Sequence, residues 1–125
     1  MHNALDIALL AAEAADRKKG IDIQVLDLRE LTTIADYFVI CTGMSTTQVG
    51  AIADEVGLRL ASAGEHPSHI EGASGATWIL MDYGDVVVHI FEEQTRAYYG
   101  LERLWGDAPR VEVTCPSPGL HGIPS

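Results

Sequence analysis

The stretch "TWILMDYGDVVVHIF", Thr77 to Phe91, constrains the fold more than any other part of this chain. It reads as two strands joined by a tight two-residue turn at Gly84-Asp85. In that register Tyr83 faces Val86, Met81 faces Val88 and Ile79 faces Ile90, an apolar layer that must rest against helices. The opposite layer sets Trp78 against Phe91, Leu80 against His89 and Asp82 against Val87. A fully buried layer seldom takes an unpaired Asp82. A fully solvated one seldom carries Trp78, Leu80, Val87 and Phe91 together. Aromatic and aliphatic anchors beside a charge match the core and rim of an interface. The competing reading is a core Trp78 lying beneath the C-terminal helix.

Around this hairpin helices and strands alternate. Asn3 is an N-cap residue for a first helix, with Asp6 in its opening turn, a stripe of Leu5, Leu9 and Ala12, and a stop at Gly20. "IDIQVLDL", Ile21 to Leu28, alternates apolar with polar residues as a half-buried strand does. "YFVICT" is continuously apolar and suits a central strand. Ser45 and Gln48 form a capping-box pattern before a helix whose buried face is Val49, Ile52, Ala53, Val56 and Leu60, ending at Gly64. "EHPSHIEGASGA" is a loop with a short strand at His69 to Glu71. "EEQTRAYYGLERLWG" reads as one helix in which Leu101 and Trp105 form the core pair and one of Tyr98 and Tyr99 stays on the surface. The pattern predicts a single α/β domain with a mixed sheet of about five strands flanked by helices. The domain occupies residues 1–106, and a proline- and glycine-rich mobile tail follows over 107–125.

Charge narrows the partners. Eighteen acidic residues against eight basic ones leave a formal charge of −10. No basic residue falls between Arg29 and Arg59, nor between Arg59 and Arg96, so direct grip on nucleic acid is not expected. A basic protein partner fits better. No apolar run approaches the roughly 20 residues of a membrane helix. The opening segment lacks the basic start and cleavage site of a secretory signal. Two cysteines in unrelated settings, Cys41 and Cys115, then point to free thiols and a cytoplasmic protein.

Catalytic readings find little support. The "TGMSTT" turn, Thr42 to Thr47, could offer backbone N–H groups to a phosphate, and strand–Gly–x–Ser–helix resembles the opening of nucleotidyltransferase folds. Those enzymes need closely spaced carboxylates for metal ions, and no Asp-x-Asp follows the helix. Asp82 and Asp85 straddle the turn. His66, His69 and Glu71 have ligand-like spacing but sit on a loop. His89 between Val88 and Ile90 reads as a packed histidine, and Cys41 as a structural thiol. No cofactor is expected.

Three segments in order, "DLRELTTIADYFVICTGMSTTQVGAIADEV", the "WILMDYGDVVVHIF" hairpin and "YYGLERLW", resemble the ribosomal silencing factors, or iojap-like family, over roughly Ala4 to Gly106. The resemblance implies a non-enzymatic translational repressor with a nucleotidyltransferase-like fold that lacks the catalytic carboxylates. It implies binding to the large ribosomal subunit through the ribosomal protein numbered fourteen on the joining face, which blocks the small subunit when nutrients are short. Carried over by motif, the contact residues are Trp78, Leu80, Asp82 and Tyr83 in the hairpin, with Tyr98, Tyr99 and Glu102 in the helix. Tyr83 falls on the covered face in the register above. Members of the family often form homodimers, and a homodimer mating through the Trp78 face is a further reading. The enzymatic alternative is a divergent nucleotidyltransferase holding a nucleotide at Thr42–Thr47.

Overall fold

A computed structural model describes residues 3–113. In chain order the elements are α1 (Ala4–Arg17), β1 (Ile21–Asp27), β2 (Tyr37–Gly43), α2 (Thr46–Ser62), β3 (His69–Glu71), β4 (Trp78–Asp82), β5 (Val86–Glu92), α3 (Glu93–Tyr99), α4 (Leu101–Leu104) and β6 (Arg110–Val111). They build a six-stranded sheet in the order β3-β4-β5-β2-β1-β6. Only β2 and β5 run parallel; the other neighbours are antiparallel. The parallel pair lies at the centre and needs a crossover, which α2 begins.

Local chemistry explains the helix ends. Asn3 Oδ1 accepts the Asp6 N–H at 2.8 Å, and Ser45 Oγ accepts the Gln48 N–H at 3.1 Å, as their side-chain types predict. Past Ser62 the chain turns left-handed at Gly64 (φ 86°), and the Gly64 and Glu65 N–H groups close on the Ala61 and Leu60 carbonyls. α2 buries Val49, Ile52, Val56 and Leu60, the expected stripe, with Ala53 partly buried.

α1 departs from its expected stripe. It buries Ile7 and five alanines, while Leu5 and Leu9 are only half-buried. Short side chains let the backbone approach α2 and the sheet closely, and close approach gives more dispersion contact than a bulky residue held further away. With α2 it covers one sheet face: Val25, Tyr37, Val39, Cys41, Val86, Val88, Ile90, Ile79 and Met81.

The other face is thinner. Leu26, Phe38, Ile40 and Phe91 lie under Leu28, Ala35 and Ala108, with Trp78, Val87, Leu101 and Trp105 partly buried against them. Leu101 and Trp105 therefore do anchor the C-terminal region, but from a short separate helix, α4 and its C-cap, rather than from one long helix. Gly100, at φ 57°, breaks "EEQTRAYYGLERLWG" into α3 and α4. The sheet also continues past Gly106. Arg110 and Val111 pair with Leu26 and Val25, and the Asp27 N–H donates to the Pro109 carbonyl at 2.8 Å. The remainder of the expected tail, with Cys115, lies outside the described residues.

Candidate docking face

The hairpin pairs as its turn requires: Trp78 with Phe91, Ile79 with Ile90, Leu80 with His89, Met81 with Val88 and Asp82 with Val87. Strand alternation then puts Trp78, Leu80 and Asp82 on the thinly covered face. All three are half-buried. Trp78 is neither sealed nor free. Its ring stacks on Phe91 (centroids 4.8 Å apart, planes 30°) and leans against Tyr99 (4.7 Å, 48°).

Beneath it, His89 acts as a polar peg. The Trp78 Nε1–H donates to His89 Nδ1 at 3.2 Å, which places the imidazole hydrogen on Nε2. Phe38 meets the same ring edge-on at 4.6 Å. His89 is 4% exposed, and burial pushes its pKa down to about 4. The ring is thus neutral at physiological pH, a packed and hydrogen-bonded histidine as the sequence suggests.

Both tyrosines of α3 reach solvent, Tyr98 at 82% exposure and Tyr99 at 53%, where helical geometry alone required only one. They meet each other edge-on at 5.0 Å. The inward position of this short helix belongs to Arg96, which is 5% exposed. The sequence offers no local signal for that burial.

The acids divide. Asp82 Oδ1 accepts the Gly84 N–H at 2.8 Å, so the carboxylate that edges the face also tightens the turn. Glu102 Oε2 accepts from Arg96 Nε at 3.1 Å, an internal pairing that ties it to its own chain. Tyr83 stands apart from the group. It packs on the opposite, helix-covered core, and its hydroxyl is buried and finds no partner among the described residues. Burial pushes that phenol up to about 12. The hairpin register therefore sets Tyr83 on the helix-covered side of the sheet, as its place opposite Val86 requires. Conversely, His69 and Glu71 pair opposite Asp82 and Leu80 and so extend this face. They lie 2.6 Å from each other, His69 Nε2 to Glu71 Oε2, and widen its charged margin.

The "TGMSTT" turn is occupied by its own structure. A Cβ on Gly43 would come within 2.9 Å of Val49 Cγ2 and 3.0 Å of the Val49 nitrogen, so the glycine admits α2 rather than a ligand. Gln48 Oε1 accepts the Met44 N–H at 2.7 Å, while its Nε2 donates to the carbonyls of Lys18 (3.1 Å) and Lys19 (3.0 Å). Cys41 is fully buried, and burial raises its thiol to about 12, which suits a structural residue.

Fold and face together define a small α/β domain with one sheet face sealed by helices and the other left as a half-open aromatic layer with acidic edges. Residues 1–120 match the family described as "Ribosomal silencing factor during starvation". The ribosomal silencing factor RsfS of Bacillus subtilis is 45% identical over 111 residues, covering 89% of this chain and 94% of that protein. The chloroplastic protein Iojap of Zea mays is 40% identical over 113 residues, covering 87% of this chain and 47% of that one. A crystal structure from Chromobacterium violaceum superposes with a TM-score of 0.82 at 38% identity, covering 94% of this chain and 99% of that one. The chain belongs to the ribosomal silencing factor (RsfS/Iojap) family, whose members are ribosome-binding factors and not enzymes. No helix among the described residues is long and apolar enough to cross a membrane.

Proposed function

We propose that this domain represses translation by docking on the joining face of the large ribosomal subunit, through the ribosomal protein numbered fourteen, and so excluding the small subunit. The setting is the cytoplasm. The carrying observation is the half-open Trp78, whose ring meets both Phe91 and the exposed Tyr99, with the exposed Tyr98 set against Tyr99 in turn. Such a surface gives large apolar area with little rotamer entropy to lose, which is how interface hot spots work.

Trp78, Leu80, Tyr98 and Tyr99 supply the anchors; Asp82 and the His69–Glu71 margin meet Lys or Arg of the partner. Glu102 contributes from behind, through Arg96, and Tyr83 supports the sheet from its other side. A net charge of −10 opposes contact with rRNA phosphates and favours a basic protein surface. An interface on the order of 1,600 Å² is sufficient.

Co-sedimentation with purified large subunits tests this. Trp78→Ala is expected to fold and to lose about 2 kcal/mol or more of binding, roughly thirtyfold. Undiminished co-sedimentation of the folded variant sinks the proposal.

A further inference from the structure

Arg96 is a buried cation on a helix of seven residues. Its Nη1 donates to the Asp22 carbonyl at 2.7 Å and to Thr42 Oγ1 at 2.8 Å. Its Nε donates to Glu102 Oε2 at 3.1 Å, and Nη2 stands 3.2 Å from Asp22 Oδ2. Three segments distant in sequence therefore converge on one guanidinium: the irregular start of β1, the end of β2, and α4. Asp22 itself sits at φ 50°, where the β1–β2 register slips between Ile21 and Gln24. A bulge there turns a backbone carbonyl and a carboxylate toward the same cation.

Besides Arg96, the Glu92 carboxylate caps the start of α3 by accepting the Gln94 and Thr95 N–H groups, and Arg110 Nη2 donates to the Glu102 carbonyl at 3.4 Å. α3 and α4 are too short to be stable as isolated helices, and Gly100 interrupts them. Their apolar attachment is Leu101 and Trp105. Yet α3 carries Tyr99, whose ring must stay against Trp78 for the aromatic layer to exist. A planar fork with several donors can satisfy this set of acceptors at once, whereas an ammonium is a point charge on a flexible stem.

We infer that Arg96 is the positioning residue of the docking face: it locks α3 and α4 onto the bulge of β1 and thereby holds Tyr99 on Trp78, without touching the partner. The inference rests on the reading of the Trp78–Tyr99 layer as the docking face. It assigns that layer's preorganisation to one buried cation.

The test separates order in the free protein from binding. Trp105→Phe leaves Trp78 as the sole tryptophan of the chain, and the Trp105 Nε1 has no partner to lose among the described residues. In that background Arg96→Met and Arg96→Lys are compared by acrylamide quenching of Trp78, thermal unfolding and co-sedimentation with large subunits. Arg96→Met is expected to unfold cooperatively, to make Trp78 at least about twofold more quenchable, and to bind at least about tenfold more weakly. Arg96→Lys should fall between. A variant that is merely less stable, with quenching and binding unchanged, overturns the inference. If Arg96→Met fails to fold, Glu102→Gln and Asp22→Asn take its place, each weakening one arm of the clamp. Unchanged quenching and binding in both overturns it equally. The docking reading fails separately, if Trp78→Ala itself binds normally, and the quenching series still decides whether Arg96 orders Tyr99 on Trp78.

Discussion

His89 shows how one residue can tie stability to the platform above it. Its Nδ1 accepts the Trp78 indole N–H only while the ring is neutral. Folding lowers its pKa from the usual 6.5 to about 4. Between those values the unfolded chain binds more protons, so stability is fully present above pH 6.5 and drains away as pH falls toward 4. The full loss is about 3 kcal/mol on this account. Urea midpoints measured from pH 7.5 to 4.5 should fall, and His89→Asn should flatten that slope. Gly43 makes a second residue-scale case. The space for its Cβ is already filled by Val49, so Gly43→Ala should cost about 2 kcal/mol in chemical denaturation. A neutral result would mean that α2 can shift, and would reopen the turn to a ligand.

At the scale of elements, Gly100 controls where the tyrosines point. Its φ of 57° suits glycine and strains alanine, and an added Cβ would meet the flexible end of Arg103 at 3.0 Å. Gly100→Ala should therefore cost about 1 kcal/mol, mostly from backbone strain, and should raise quenching of Trp78 by tilting α3. Unaltered quenching with lowered stability would show that α3 keeps its place independently of the break. The glycine was visible in the sequence, yet helical periodicity ran across it and hid the break. Hairpin register was legible because a two-residue turn dictates every cross-strand pair, and the capping residues were legible because their bonds are local. The alanine face of α1 was not, since hydrophobicity favours leucine while closeness of approach favours alanine. Two-residue β6 has no period to read. Arg96 was the least legible, because its partners Thr42 and Asp22 lie 54 and 74 residues away in sequence. That separation is why Trp78, Leu80, Asp82, Tyr98 and Tyr99 could be named as candidates from motifs, while the residue proposed to hold them together could not.

At the scale of the whole molecule, the proposed repression by docking turns on volume. A domain of this length has a radius of gyration of about 13 Å, so a bound copy stands well above the surface that it covers. On the proposed reading such a body sends no conformational signal to the ribosome, and occupying the space is enough. The consequence is strict competition. Raising the small-subunit concentration should raise the half-inhibitory concentration of the factor in proportion, measured by light scattering of subunit joining. Saturating factor should abolish joining instead of leaving a plateau. Trp78→Ala should shift the inhibition curve by the same factor as its loss of affinity, about thirtyfold, with an unchanged endpoint. A residual plateau of joined subunits at full occupancy would mean that factor and small subunit coexist. Inhibition would then have to pass through a change in the large subunit, and excluded volume would no longer account for silencing.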